Sequence, residues 1–480
     1  MTKLLGLRIG EHDSNLSYFD GKEVHYIKYE RKFQIKHFGL EPINLWEDIL
    51  KEHFDITSKD LNEIALVFDS WMYGFDTQNE SFFPSISYDS FPTSCPIVRV
   101  NHHYAHHLSC WPIVKNPRSY NGVCIDGFGD YDKAWTTFKQ NQIIDEGSVS
   151  KNGSIGLGMA SLGKLFDIDG HDLDIAGKIM SYQSYGKVDL DYLVYLSQYE
   201  MKDINYIFNP IYYNNKWQNK IDWLKTIHDH LGNVLLDYFT KHFTKEEVFL
   251  YTGGTALNVC WNTKLKDCFQ NIVIPPHTGD EGLSLGALEF LRIKHKLPNF
   301  NLNNFPFCQT DEQPLKAADN IVIQKTTELL ANQKIIGWYQ GNGEIGPRAL
   351  GHRSILADVR DKEMKDKVNQ IKKREHFRPF GCSTIDDEFS NSDYMLFADS
   401  LKTNKYPAIT HIDNTCRHQK HGPLQQLLQK FKQITSCGSL LNTSLNIDGK
   451  PLASSKINAM AILENSKLDG LVYGNEIYLK

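Results

Sequence analysis

The sequence predicts an α/β protein whose N-terminal part is a duplicated strand-and-helix unit, followed by a second α/β unit. Three observations predict it. The chain opens in a β-β-β-α-β order, strands ending in a polar or glycine turn recur further on, and a stretch rich in Asn, Pro and Asp at residues 298–322 interrupts the pattern before it resumes.

The elements follow in order. "KLLGLRIG", "NLSYFDG" and "EVHYIKYE" read as strands, and Asp20-Gly21 between the last two suits a tight hairpin turn. "EPINLWEDILKEHF" has apolar residues at helical spacing, and "EIALVFDS" is a short apolar run of strand length. The apolar run "IVRV" leads into "NHHYAHH", where a helix would set His102 and His106 on one face. "NGVCIDGFGDYDKAWTTF" reads as strand, glycine turn, strand, and "EVFLYTGGTALNVCWNTKL" as a strand that ends at Gly253-Gly254 and enters a helix. Past the interruption, "TTELLANQ", "KIIGWYQG", "NGEIGPRALGHR", "SILADVRD" and "KEMKDKVNQIKK" give helix, strand, loop, strand, helix. Domains are therefore expected at 1–310 and 322–480.

Composition excludes several classes. A chain of 480 residues exceeds one ordinary core. Hydrophobic residues at 41% and charged residues at 23% fit a globular protein and not a disordered one. The formal charge of -6 leaves no global basic footprint, so any nucleic-acid contact would be local. Nine cysteines without a C-x-x-C pair argue for a reducing compartment, and the lack of a long apolar run argues against a membrane span. A cytoplasmic location is expected. "KEMKDKVNQIKKRE" reads as a mostly solvated charged helix, with no catalysis assigned to its lysines.

Two sets of residues carry chemistry. His102 and His106 at i and i+4 have the spacing of two imidazole ligands, and Asp126 and Asp280 are carboxylates at turns where an α/β fold collects ligands. Such a donor set suits Fe²⁺, Mn²⁺ or Zn²⁺ better than Mg²⁺ or Ca²⁺. Spacing alone does not bring the four together, and a solvated histidine face is the alternative. Arg348, Arg353, Arg374, Arg378 and Arg417 lie beside glycines, prolines and strand ends, where guanidinium forks suit phosphate; surface ion pairs are the alternative for each. Asn442, Ser444 and Asn446 in "SLLNTSLN" fit ligand contacts or a tight turn.

The motifs "HHYAHH", "DGFGD", "GGTALN", "GDEGLSLGA", "GEIGPRALGHRSILADVRD", "REHFRPF" and "LLNTSLN", in this order, resemble the O-carbamoyltransferase family of the nodulation-protein and tobramycin type. The resemblance runs from "GLRIGEHDS" to the C-terminus. It implies an actin-like ATPase (ribonuclease H-like) N-terminal domain and a YrdC-like C-terminal domain. The activity it implies has two steps: carbamoyl phosphate and ATP give carbamoyl-adenylate and pyrophosphate, then the carbamoyl group passes to a hydroxyl. The acceptor would be a small molecule such as a sugar, an antibiotic or a nucleotide.

By match to the family, His102, His106, Asp126 and Asp280 would hold a divalent metal, most simply Fe²⁺, that acts where AMP departs. Arg348 and His106 would be catalytic, and His103 would be either the base for the acceptor hydroxyl or a supporting histidine. ATP with Mg²⁺ would use His12, Asp13 and Ser14 at the first β-turn, the backbone at Gly253 and Gly254, the five arginines, and Asn442, Ser444 and Asn446. The sequence departs from the family at His107, where a small residue is usual, and at Gly381-Cys382, where Ala-Pro is usual. Lys178 in "AGKIMSYQSYG" occupies a family motif but has no assigned role. A homodimer is compatible with the sequence. Two alternatives stay open: an acceptor hydroxyl on a nucleotide or modified base of nucleic acid, and a non-catalytic nucleotide-binding regulator.

Overall fold

A computed structural model describes residues 2–39, 45–69, 93–114, 121–209, 219–310, 315–447 and 449–480. Its first sheet is built from β1 (Leu4–Ile9), β2 (Asn15–Phe19), β3 (Val24–Lys28), β4 (Glu63–Phe68) and β5 (Ile97–Arg99). The strand order is β3-β2-β1-β4-β5; β1 to β3 are antiparallel, and β4 and β5 run parallel to β1. The second sheet uses β6 (Asn121–Gly129), β7 (Lys133–Lys139), β8 (Gln142–Ser148), β9 (Phe249–Thr252) and β10 (Ile272–Val273) in the order β10-β9-β6-β7-β8. Here β6 to β8 are antiparallel, and β9 and β10 are parallel to β6. Counted from its own first strand, each sheet reads 3-2-1-4-5. The duplication is thus a repeat of topology, and the first domain has the actin-like, ribonuclease H-like architecture.

Two helices lie between these sheets and carry most of the site. His102–Ser109 is buried along its whole length, with Asn101 capping it by accepting from the Tyr104 N–H, and Leu283–Lys294 packs against it. Their core joins Leu4, Val67 and Val98 of the first sheet to Cys124 and Leu250 of the second through Ala105, Leu108, Ala287 and Leu288. Gly286 makes the close approach possible: a Cβ there would lie 1.9 Å from the Ala105 carbonyl oxygen. The "HHYAHH" and "GDEGLSLGA" motifs are therefore packed on each other.

The second domain has one mixed sheet of β11 (Ile336–Tyr339), β12 (Arg353–Asp358), β13 (Gly381–Thr384), β14 (Ala398–Ser400), β15 (Thr415–Gln419), β16 (Ser439–Ser444), β17 (Gly470–Tyr473) and β18 (Glu476–Leu479). The order is β14-β15-β13-β16-β12-β11-β17-β18. The helix expected at "TTELLANQ" starts earlier and spans Asn320–Ala331, with Asp319 as its cap. The "KEMKDKVNQIKKRE" reading needs correction: in the helix Met364–Lys372, Met364, Val368, Ile371 and also Lys372 are buried. The series 364, 368, 372 sets the lysine on the apolar face.

The segment expected to separate the domains is stitched to both. Phe300 enters the core of the first, whereas Leu315 and Ala318 pack on the core of the second, so a division at 310/322 remains our proposal. Gln309 Oε1 accepts from the Lys28 N–H, and the Gln309 N–H donates to the Gly343 carbonyl. Arg31 donates to the carbonyls of Glu344 and Gly346. From the second domain, buried Leu396 joins the first domain's core, with Phe377, Tyr394 and Phe397 packed around it.

Candidate active site

Four predicted ligands converge. His102 and His106 come from one helix, Asp126 from the C-terminal half of β6, and Asp280 from the turn that starts helix Leu283–Lys294. Asp126 Oδ2 lies 3.2 Å from His102 Nε2 and 2.9 Å from His106 Nε2, and Asp280 Oδ1 lies 3.4 Å from each. The four donor atoms all lie within 4.8 Å of one another, and the side chains are nearly buried. Two imidazoles and two carboxylates at a buried site form a donor set that a borderline divalent ion fits, the ion taking the place of the imidazole protons.

Neighbours fix the carboxylates. Arg8, buried in β1, donates from Nη2 to Asp280 Oδ2 at 2.9 Å and pairs with Asp69 at 2.8 Å. Asp126 Oδ1 accepts from the N–H groups of Gly127 and Gly254, at 2.7 and 3.0 Å. Gly253 makes that turn: its φ is +89°, and a Cβ there would meet the Ile125 carbonyl oxygen at 2.2 Å. Burial works against charge on His102, but Asp280 and Asp126 outweigh it and push its pKa up to about 10. Burial likewise opposes the carboxylates, yet the two histidines hold Asp126 well below the usual range, as His102 and Arg8 do for Asp280. Sequence reasoning missed Arg8, although a lone arginine inside the apolar strand "LLGLRI" was a signal.

Of the two places left open for His103, the geometry fits the supporting one. It is 1% exposed, its Nδ1 is 2.9 Å from Thr136 Oγ1, and its ring packs on Gly129. Burial, with the charges of His102 and His106, pushes its pKa down to about 3. A neutral ring sealed against β7 cannot reach an acceptor hydroxyl. His107 is also core: it stacks on Phe138 with centroids 4.7 Å apart and faces Gly122, which leaves it room.

The first β-turn lies beside the quartet. His12 Nδ1 is 3.2 Å from Asp13 Oδ2 and 3.9 Å from Asp280 Oδ2, and its side chain is 31% exposed. Asp13, Glu30 and His37 form a second cluster of ligand-type atoms. Lys28 Nζ already sits 3.1 Å from both Asp13 Oδ1 and Glu30 Oε1, so an ammonium balances those carboxylates. Ser14 Oγ lies within hydrogen-bond reach of both the N–H and the carbonyl of Gly10 and closes the turn.

The predicted arginines divide into two groups. Arg353 is consumed structurally: its guanidinium donates to the carbonyls of Gln340, Gly341, His352 and Ala453 and lies over the Tyr339 ring. Arg348, Arg374, Arg378 and Arg417 are half-buried and close enough to repel one another. Burial, then Arg417 and Arg378, hold Arg348 well below its ordinary value; burial, then Arg378 and Arg417, do the same to Arg374. Burial and Arg378 push Arg417 down to about 10. Nε of both Arg348 and Arg417 is buried without a hydrogen-bond partner.

Lys372 adds a fifth cation. Its Nζ donates to the carbonyls of Ser444 and Asn446 and to their side-chain oxygens, and burial with Arg374 and Arg378 holds it well below the usual lysine value. Ser444 and Asn446 thus grip a cation of the pocket, while Asn442 Nδ2 donates to Ser383 and its Oδ1 is buried without a partner. Uncompensated cations in a half-closed pocket are costly unless an anion joins them.

This pocket abuts the quartet. Arg348 Nη2 donates to the Leu257 carbonyl at 3.3 Å, at the end of the Gly253-Gly254 turn. The Gly346 backbone lies against the carbonyl of Pro276, four residues before Asp280.

The sequence matches known proteins over the same regions. A family model described as carbamoyltransferase N-terminus matches residues 92–288, and one described as carbamoyltransferase C-terminus matches residues 327–480. Nodulation protein NolO of Bradyrhizobium diazoefficiens is 34% identical over 262 residues, covering 46% of this chain and 47% of that protein. Nodulation protein U of the same organism is 29% identical over 330 residues, 58% of each. The chain spans about half the length of these curated relatives. Among solved structures, component A of Acidaminococcus fermentans (R)-2-hydroxyglutaryl-CoA dehydratase has a TM-score of 0.37 at 13% identity, covering 60% of this chain and 97% of that one. With both halves of the family's pattern matched in order, the chain belongs to the carbamoyltransferase family.

Proposed function

We propose that the protein is an ATP-dependent O-carbamoyltransferase that activates a carbamoyl group in the arginine pocket and delivers it to a hydroxyl beside the histidine–aspartate quartet. The observation that carries this reading is the contact between a pocket of uncompensated cations and a buried two-imidazole, two-carboxylate site. Such a pair of sites suits a reaction in which a polyanionic reactant and a charged leaving group are handled side by side.

The first step joins the carbamoyl group to AMP. Water first cleaves the P–O bond of carbamoyl phosphate, releasing inorganic phosphate and leaving carbamate; a carbamate oxygen then attacks the α-phosphorus of ATP and expels pyrophosphate. Arg348, Arg374, Arg378, Arg417 and Lys372 are the groups that bind and orient these phosphates. In the second step the acceptor oxygen attacks the carbamoyl carbon, the bond to AMP breaks, and the hydroxyl proton leaves. His12, partly exposed beside the quartet and oriented by Asp13, is the imidazole that takes that proton, in place of His103. A divalent ion held by His102, His106, Asp126 and Asp280, with Fe²⁺ the first choice and Mn²⁺ or Zn²⁺ as substitutes, would neutralise charge at the phosphate of departing AMP. The acceptor is a small hydroxyl compound.

The test is to incubate the protein with ATP, carbamoyl phosphate and Mg²⁺ without acceptor and to follow pyrophosphate, phosphate and carbamoyl-adenylate by mass spectrometry. Formation of all three only when carbamoyl phosphate is present supports the reading. Folded protein that forms none of them overturns it.

A further inference from the structure

Glu375 lies in the chain between Arg374 and Arg378 and is the carboxylate nearest the middle of the cation pocket in sequence. Left to itself it would neutralise its neighbours, since a carboxylate on the same loop competes with any incoming phosphate at high effective concentration. Only one such contact is made, and it is long: Glu375 Oε2 is 3.6 Å from Arg378 Nη1. Arg374 turns elsewhere, donating from Nε to Asn369 Oδ1 and from Nη2 to the Pro379 carbonyl.

The other carboxylate oxygen is held from across the domain interface. Glu375 Oε1 lies 2.5 Å from Nζ of Lys178, which comes from the helix Asp172–Tyr182 of the first domain. Lys178 Nζ also donates to the Asp169 carbonyl, so the ammonium is itself anchored, and its side chain is only 12% exposed. Burial opposes the charge on Glu375, but the bond from Lys178 keeps its carboxyl below the usual range.

We propose that Lys178 is a positioning residue for the anion pocket: by holding Glu375 it limits the pocket's own carboxylate to one long contact with Arg378 and keeps it from pairing with Arg374, leaving those guanidinium groups for ligand phosphate. This rests on the reading of the pocket as a phosphate site. It gives Lys178 the role that its motif alone did not, and makes phosphate affinity depend on a residue of the other domain.

The test is a two-by-two set of full-length proteins, titrated calorimetrically with inorganic pyrophosphate at 0.15 M salt, where a Debye length of about 8 Å mutes remote charge effects. Lys178→Met should weaken binding roughly tenfold, because the freed Glu375 closes on the arginines, and Lys178→Arg should restore it. Glu375→Gln should leave binding within about twofold of the wild type, because the held carboxylate competes little in the intact protein. The double variant should bind within about twofold of Glu375→Gln, because the lysine acts through that carboxylate. A merely structural lysine would lower affinity equally in both backgrounds, and that result, or an unchanged Lys178→Met, overturns the proposal. If Lys178→Met fails to fold, Glu375→Gln decides: binding within about twofold of the wild type supports the latch, and several-fold tighter binding overturns it, because the carboxylate would then compete for the arginines in spite of Lys178. Wild-type protein that does not bind pyrophosphate overturns the phosphate reading and the latch together, an outcome distinct from failure of the latch alone.

Discussion

Replacing Arg417 by Met should make the unliganded protein more stable and reduce the further stability it gains from a phosphate ligand. Arg417 stands on β15 with Nε buried and without a hydrogen-bond partner, and it forms no ion pair among the described residues. Burial and Arg378 lower its pKa from 12.5 to about 10, which at 1.36 kcal/mol per pKa unit corresponds to about 3 kcal/mol of unfavourable charge. Because the side chain is half-buried, solvent screening reduces the recoverable part to about 1–2 kcal/mol. Methionine keeps an unbranched stem for packing and removes the charge. Urea unfolding followed by tryptophan fluorescence should therefore show the variant to be more stable by that amount in the absence of ligand. Pyrophosphate at a hundred times its dissociation constant should add about 2.7 kcal/mol to the wild type, but only about 1.4 kcal/mol to a variant that binds tenfold more weakly. The opposite signs are the signature of a group kept for its ligand. A variant that is less stable without pyrophosphate, or that gains as much from it as the wild type, would refute the reasoning.

Three further outcomes are expected. His106→Ala should lower Mn²⁺ or Zn²⁺ affinity, measured by equilibrium dialysis, by at least about 100-fold while pyrophosphate affinity stays within about twofold; parallel loss of both would mean that the quartet and the arginine pocket are one subsite. Gly253→Ala places a Cβ 2.2 Å from the Ile125 carbonyl oxygen at a positive φ, so it should cost about 1–3 kcal/mol of stability and displace Gly254 from Asp126; an unchanged melting temperature would count against the turn geometry. Fragments 1–314 and 315–480, expressed together, should co-elute on size exclusion because Leu396 is buried in the first domain's core, and separate elution would show that this packing is dispensable.

Much of the fold was legible because its elements are short, amphipathic and bounded by turn residues. The β-β-β-α-β opening and the Gly253-Gly254 turn read directly from period and punctuation. The site was legible only in part. His102/His106 and His103/His107 are both i, i+4 pairs, so spacing alone cannot say which pair faces the site. That choice is made by strands far away in sequence, where Gly122, Gly129 and Thr136 make room for the inner pair. Arg353 and Arg348 look alike in sequence, but the carbonyls at Gln340, Gly341 and Ala453 that consume Arg353 come from separate segments. Lys372 was hidden by composition: five of fourteen residues in "KEMKDKVNQIKKRE" are lysines, and only the register with Met364 and Val368 marks this one as inward.

The two sites are joined by a short run of hydrogen bonds that bears on how a labile group could be passed between them. Asp126 uses one carboxylate oxygen for the two imidazoles and the other for the N–H groups of Gly127 and Gly254. The Gly254–Leu257 turn then presents the Leu257 carbonyl to Arg348. A quartet residue, Asp126, and Arg348 are therefore fixed to opposite ends of one tight turn, whose positive φ and close approach to Ile125 admit glycine at 253. Such a strap does not by itself transmit a signal, because that would require a second arrangement of the turn. It does fix the reach between the pocket and the quartet. On the proposed reaction, that fixed reach means the activated carbamoyl group need only pivot, with its phosphate held by the arginines, and is not released into water that would hydrolyse it.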